Sequence, residues 1–236
     1  MHQQAYRCER KFLIGRPDLH LLRQNLSGTL QRDIHDREER GYSVRSLYFD
    51  DGHQSGLFEK FSGIPIRGNY RIRIYNEDGQ FMRLEKKMHK GHLSRKLSRR
   101  ISENEYRQIL SNDISFLCTS DDFLSHDFYQ RYQNTLLRPV VIVDYRREAF
   151  VYPVENVRLT LDTKIRTGLH GIDLFDSEIA LIPALEEDLS LLEMKYDRFI
   201  PSFILQLTSL SMHTPVSFSK YACCRKFMKY NDWEES

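Results

Sequence analysis

Arg71 and Arg73 stand two residues apart in the run Tyr70-Arg71-Ile72-Arg73-Ile74-Tyr75. A strand sends alternate side chains to opposite faces, so both guanidinium groups project one way and Ile72 and Ile74 the other. The pattern recurs along the chain. Arg83, Glu85 and Lys87 share a face opposite Met82 and Leu84. Arg158, Thr160, Asp162 and Lys164 share one opposite Val157, Leu159, Leu161 and Ile165, and Glu193 and Lys195 share one opposite Leu192 and Met194. Guanidinium groups grip phosphate oxygens through paired planar donors, and ammonium groups act as compact point charges. Many cations and a few carboxylates on one side of a sheet make a site for a polyanion and a hard divalent metal.

The elements that must position these groups are mostly short strands. Residues 7–14 read as a first strand; Pro17 then opens a helix that runs to about Leu26, with Gly28 after it. Residues 42–49 form a strand, Asp50-Asp51-Gly52 a turn, and 54–61 a short helical or irregular piece before the Gly63-Ile64-Pro65 break. Residues 69–75 and 80–88 make a hairpin around Asn76-Glu77-Asp78-Gly79, and 92–101 follow as a basic strand. Ser102 and Glu105 form a capping box for a helix over 103–111. A second amphipathic helix covers 121–136 and ends at Pro139, and 140–152 is a long apolar strand. Residues 157–165, 176–179 and 191–196 complete the strands. Pro201 starts a helix through Leu210 with an apolar stripe of Phe203, Leu207 and Leu210. Pro215 precedes a last helix over 218–230, with Ser217 as its candidate cap.

This order predicts an α+β fold. Its centre is a closed antiparallel β-barrel, a tunnel of about eight strands, with helices packed outside and a C-terminal helix. Closure lets the charged faces line an interior while the apolar faces meet the helices. The 236 residues show no repeat and no Gly/Ser linker, which predicts one domain over 1–236. Mean hydropathy of -0.56 and the lack of a long apolar run exclude a transmembrane helix, and the first residues lack the apolar stretch of a signal peptide. Cys8, Cys118, Cys223 and Cys224 have no metal spacing and read as reduced thiols of a cytoplasmic protein. A net charge of +2 is too balanced to argue for nucleic acid.

Nine segments in order resemble the VTC domain, the catalytic domain of the vacuolar transporter chaperone polyphosphate polymerases, within the triphosphate tunnel metalloenzymes. They are ERKF (9–12), VRSLYFDD (44–51), GIPIRGNYRIRIY (63–75), LEKKMH (84–89), SRK (94–96), DYRREAF (144–150), VRLTLDT (157–163), LLEMKYD (191–197) and SFSKY (217–221). The resemblance implies a tunnel open at both ends that holds ATP, polyphosphate or triphosphate. It also implies transfer of the terminal phosphoryl group of ATP to a polyphosphate chain with a divalent metal, manganese before magnesium. Lys11, Arg71, Arg73, Lys87, Lys96, Arg147 and Arg158 then match phosphate-holding cations, and Tyr145 a tyrosine beside them. Arg71, Arg73 and Lys220 are the expected catalytic groups, and Glu193 the expected metal ligand. Ser219, at the start of the last helix, adds backbone N–H donors at a positive helix end.

The hydrolytic branch of the tunnel enzymes carries Glu-x-Glu-x-Lys on its first strand, and here Arg7 replaces the first Glu. That favours a polymerase over a triphosphatase. A domain that only binds polyphosphate or nucleotide is the third reading, with any channel supplied by a separate membrane protein. Neither nucleic acid binding nor direct membrane insertion is expected. Glu85 reads partly as internal counter-charge, Asp162 has an open role, and His89 and His92 are bystanders. Arg99-Arg100 reads as an exposed strand end.

Overall fold

Alternation of apolar and charged residues leaves each strand with one face that needs covering and one that needs counter-charge, and ring closure satisfies both. The computed structural model describes residues 5–34, 36, 41–208 and 214–231, the last five by backbone alone. The strands are β1 (Arg7–Ile14), β2 (Gln31–Arg32), β3 (Tyr42–Asp50), β4 (Ile66–Tyr75), β5 (Asp78–Lys90) and β6 (Leu93–Arg100). After them come β7 (Arg138–Tyr152), β8 (Val157–Thr167), β9 (Ile182–Pro183) and β10 (Ser190–Tyr196). Around them lie α1 (Arg16–Thr29), α2 (Ser55–Phe61), α3 (Glu103–Leu110), α4 (Ser115–Cys118), α5 (Phe123–Thr135), α6 (Ser202–Leu207) and α7 (Lys220–Asn231).

The antiparallel ring runs β7-β3-β4-β5-β6-β1-β10-β8 and closes by β7 pairing with β8. The two-residue strands β2 and β9 hang on β7 and β8. The ring is uneven. β1 pairs with β10 from Cys8 to Ile14, but with β6 only through Arg7 and Cys8. Past that short seam the Val216 N–H donates to the Lys11 carbonyl at 2.8 Å, so the segment before α7 lies beside β1.

Two apolar clusters sit outside the ring. Ile72, Ile74, Met82 and Leu84 pack under Tyr106 and Ile109 of α3 and Phe128 of α5. Phe12, Leu159, Leu161, Leu192 and Met194 pack under Leu19, Leu22 and Leu26 of α1 and Ile204 of α6. Each fully buried side chain of this size contributes about 1.5–3 kcal/mol. A third cluster departs from the simple picture. Val141, Val143 and Leu191 have the parity of the inward-facing Tyr145 and Glu193, and they pack with Tyr221, Ala222 and Cys224 of α7. One end of the interior is therefore apolar and is filled by the C-terminal helix, which corrects the expectation of a tunnel open at both ends. Tyr48 of β3 stacks on Tyr221 with ring centroids 5.2 Å apart.

Several local expectations change. Residues 176–179 are not a strand; they run as turns over the barrel, where Ile179 presses on Gly168 so closely that a Cβ there would lie 2.6 Å from it. Gly28 lies inside α1, which ends at Thr29. Pro139 lies within β7, opposite Phe49 where the register shifts, a place where a missing N–H is tolerated. The hairpin turns on two residues, Asn76 and Glu77, both with positive φ. Lys164 also has positive φ (50°) at a β8 irregularity and is exposed, so it leaves the charged face. Asp50 is more than a turn residue: its carboxylate accepts the N–H groups of Gly56 and Leu57 at the start of α2, and the Tyr221 hydroxyl. Ser219, not Ser217, caps α7 by accepting the Ala222 N–H at 3.3 Å. Ile204 is the buried centre of α6, and Leu210 lies outside the described residues. The capping box of Ser102 and Glu105 is formed.

Candidate functional site in the barrel interior

The inward faces enclose a cavity of about 980 Å³. All eleven side chains singled out from the sequence line it: Lys11, Arg71, Arg73, Lys87 and Lys96 from β1, β4, β5 and β6; Tyr145, Arg147, Arg158 and Glu193 from β7, β8 and β10; and Ser219 and Lys220 from α7 and its cap.

Two buried carboxylates organise the middle. Glu85 accepts from Arg71 Nε at 2.8 Å and from Lys96 Nζ at 2.7 Å, with Arg73 Nη1 at 3.8 Å. Burial pushes this carboxyl up, but Arg71, Arg73 and Lys96 outweigh it and hold Glu85 ionised, well below the usual carboxylate range. Asp162 accepts both Arg147 Nε and Nη2 at 2.6 and 2.7 Å and lies 2.6 Å from Lys220 Nζ. Burial opposes its ionisation too, and Arg147 and Lys220 again prevail. The open role of Asp162 is thus a structural one. Tyr48 and Tyr145 add phenol oxygens that receive Arg71 and Arg73 at 2.9 and 3.1 Å. Lys220 Nζ lies 4.8 Å from the Tyr145 ring centroid, which fixes the ammonium at the inner end of α7. Arginines held this firmly lose little entropy when they meet phosphate oxygens.

The wall formed by β1, β10 and β5 is different. Glu9 lies diagonally from Glu193 across the β1–β10 pair, since Glu9 faces Lys195 and Lys11 faces Glu193. Lys87 and Lys11 lie 2.8 and 3.0 Å from Glu9 Oε1, and Lys195 lies 2.6 Å from Glu193. Glu9 Oε2 is buried without a hydrogen-bond partner. Among the described residues no three His, Cys, Asp or Glu converge on one point. Two carboxylates, one with an unused buried oxygen, fit a hard divalent ion whose remaining ligands come from phosphate and water. Arg158 sits at another edge, 2.9 Å from Asp33.

Burial lowers the Lys87 ammonium to about 7, with Glu9 opposing and Lys11 adding to the fall. The unfolded chain keeps this lysine protonated up to its ordinary 10.5, so between about 7 and 10.5 unfolding takes up a proton and stability rises with pH. Anion binding needs the charged form and runs the other way. Affinity for inorganic triphosphate should fall by up to about tenfold per unit as pH rises above 7. Lys87→Arg, always charged, should flatten that fall. Calorimetric titration on both sides of neutrality measures it, and parallel pH profiles for the two proteins would refute the role of Lys87.

Among the cavity residues that the alternation of strand faces does not single out, four stand near the central cations or the proposed metal wall. Glu9 was visible in its motif, but its unpaired oxygen was not. Tyr48 sits at the right parity on β3 without a charge to draw attention. Lys60 belongs to α2, outside the ring, yet its ammonium enters the cavity and meets the Ser217 carbonyl and hydroxyl at 2.8 and 2.6 Å. His89 lines the cavity beside Lys87, which together with burial lowers its imidazole to about 3 and keeps it neutral. Arg83 is exposed outside the cavity. Arg100 is the exposed end of β6, while Arg99 is half-buried and pairs with Glu105 at 2.6 Å.

Known proteins share this fold. The sequence pattern of the VTC domain matches residues 6–229. No curated protein sequence matches significantly. Among solved structures, a protein of Pyrococcus horikoshii aligns at TM-score 0.50 and 13% identity, over 94% of this chain and 99% of its own. A candidate adenylate cyclase of Vibrio parahaemolyticus aligns at TM-score 0.53 and 10% identity, over 94% and 99%. One of Bacillus halodurans aligns at TM-score 0.50 and 16% identity, over 92% and 95%. At these identities the structural likeness concerns the fold. With the family pattern spanning nearly the whole chain and an eight-strand ring closed around inward cations, the chain belongs to the VTC domain family.

Proposed function

We propose that this protein is a metal-dependent polyphosphate polymerase acting on ATP inside the tunnel. The observation that carries this reading is the pairing of every central cation with a buried counter-charge, while phenols and cations line an open 980 Å³ cavity. In the reaction the bond between the γ-phosphorus and the β–γ bridging oxygen breaks. A terminal oxygen of the polyphosphate forms the new bond, and ADP leaves with the bonding electrons. Such transfers pass through a loose transition state, so the protein's task is to position and neutralise. Arg71 and Arg73 hold equatorial oxygens of the moving group, Arg147 and Lys96 brace the flanking phosphates, and Lys220 neutralises charge that develops between donor and acceptor. The tunnel wall excludes water and strengthens each contact.

Glu193 and Glu9 would hold the divalent metal, manganese before magnesium, which when bound supplies charge neutralisation at bridging phosphate oxygens. Glu193→Gln should raise the metal concentration for half-maximal activity by about tenfold or more. The same variant should weaken Mn²⁺ binding measured by the EPR signal of free ion. An unchanged Mn²⁺ titration would remove Glu193 from the metal site.

Arg7 bears on the choice between synthesis and hydrolysis. It stands where a second first-strand carboxylate would be, and it binds Asp197 at 2.9 Å. That leaves Glu9 as the sole first-strand carboxylate and supports a one-metal polymerase over a triphosphatase. The four cysteines are free thiols, and no described helix is long and apolar enough to cross a membrane, which supports a cytoplasmic site of action. ATP incubated with protein and Mn²⁺ should yield a ladder of polyphosphate on a gel. Orthophosphate without a ladder would make the tunnel a triphosphatase, and intact ATP a binding domain.

A further inference from the structure

The place of Lys220 at the centre is set by a helix held from outside the ionic layer. Lys220 is the first residue of α7, and the next residue, Tyr221, is buried. Successive helical residues point about 100° apart, so the rotation of α7 about its axis sets the direction of Lys220. Ala222 and Cys224, which pack beside Tyr221, are small and interlock little. The Cys223 and Cys224 thiols donate to the Ala184 and Arg166 carbonyls at 2.8 and 3.6 Å, and thiols are weak donors. Tyr221 supplies the stronger hold. Its ring stacks on Tyr48 with 21° between the planes, and its hydroxyl donates to the Asp50 carboxylate. Burial and the Asp50 charge push the phenol up, so it keeps the proton it donates.

Asp50 differs from the other buried carboxylates. Glu85, Asp162, Glu9 and Glu193 each meet a lysine or an arginine. Asp50 sits at the end of β3 and accepts the Asp51, Gly56 and Leu57 N–H groups at 2.9, 3.0 and 3.2 Å. Those bonds tie it to the start of α2, so it is fixed without help from α7. Asp50 is outside the cavity lining. The Ser217 and Phe218 carbonyls just before α7 are held instead by Lys60 and Lys11, cations that face the cavity. An incoming polyanion competes for those two ties and leaves the Asp50 one intact.

We propose that Asp50 is a positioning residue for the transfer reaction: through the Tyr221 hydroxyl it sets the rotation of α7 and so holds the Lys220 ammonium between the Tyr145 ring and Asp162. This rests on the polymerase reading above, in which Lys220 serves turnover. Asp50 itself touches no substrate. A misplacement of about 1 Å at a reacting centre costs on the order of 10²-fold in rate, so a slack α7 is read in kcat.

The test measures polyphosphate formation from ATP with Mn²⁺. Tyr221→Phe keeps the ring and removes only the hydroxyl, and it leaves Asp50 with its three N–H donors. This variant should lower kcat by about tenfold, with KM and calorimetric triphosphate affinity changed by less than about twofold. Asp50→Asn, which exchanges one acceptor oxygen for a donor amide, should do the same. Added to Lys220→Ala, Tyr221→Phe should cost less than about twofold more, because the ammonium it orients is gone. A hydroxyl that merely supports the fold would act alike in both backgrounds. An unchanged kcat, an equal cost in both backgrounds, or a loss of triphosphate affinity that matches the loss of rate would each overturn the positioning role alone. Normal turnover by Lys220→Ala, or no polyphosphate from the unaltered protein, would overturn the underlying reading and this role with it.

Discussion

Lys220→Ala should reduce turnover by about 10²–10³-fold while triphosphate affinity changes by less than about tenfold. The asymmetry follows from the geometry. Lys220 projects from the first residue of α7 into the centre, over the Tyr145 ring and against Asp162. Removing it leaves Asp162 held by both Arg147 bonds, so the barrel keeps its internal counter-charge. Arg71, Arg73, Lys96 and Lys11 still line the cavity for ground-state binding. On the proposed polymerase reading, what disappears is the cation that neutralises charge between donor and acceptor phosphates. Single-turnover kinetics beside calorimetric binding separate the two effects. A variant that loses affinity and rate in equal measure would show Lys220 to be an ordinary phosphate ligand.

Glu85→Gln should have the largest effect on stability. Glu85 is fully buried and is the common partner of Arg71, Arg73 and Lys96. Neutralising one member of such a buried set leaves the others uncompensated, at a cost of about 3–5 kcal/mol. For a domain of this size the melting temperature should fall by on the order of 10 °C. The sign of the acid effect follows from its lowered carboxyl. Glu85 contributes stability above its unfolded value of 4.5, and that contribution is lost as pH falls through the lower folded value. The variant should thus be less sensitive to acid than the parent. Inorganic triphosphate should restore part of the melting temperature, because its oxygens replace the missing carboxylate. A melting temperature unchanged by the substitution would mean that water already screens these cations.

The sequence carries the strand-borne part of the site because alternation is a local property. Arg71 with Arg73, or Glu193 with Lys195, are assigned to one face by parity alone. Parity fails where the backbone departs from extended geometry, as at Lys164 with its positive φ. It is also silent on groups that enter the cavity from elsewhere. Lys60 comes from a helix outside the ring, and the Ser217 and Phe218 carbonyls that receive Lys60 and Lys11 are main-chain atoms far along the chain. The apolar end of the interior was legible only in part. Val141 and Val143 read as a continuous apolar run, and alternation cannot say that α7 would fill the barrel between them. Segment 176–179 reads as a strand in the sequence yet runs as turns, because its few residues carry too little pattern to separate an extended run from turns.

The most direct test of the account is phosphorus NMR of the protein incubated with ATP and Mn²⁺, the metal being chelated before each spectrum, with Lys220→Ala alongside. A growing resonance from internal phosphate units, matched by ADP and absent in the variant, is the predicted result. Orthophosphate accumulating without internal units, or ATP unchanged throughout, would contradict it.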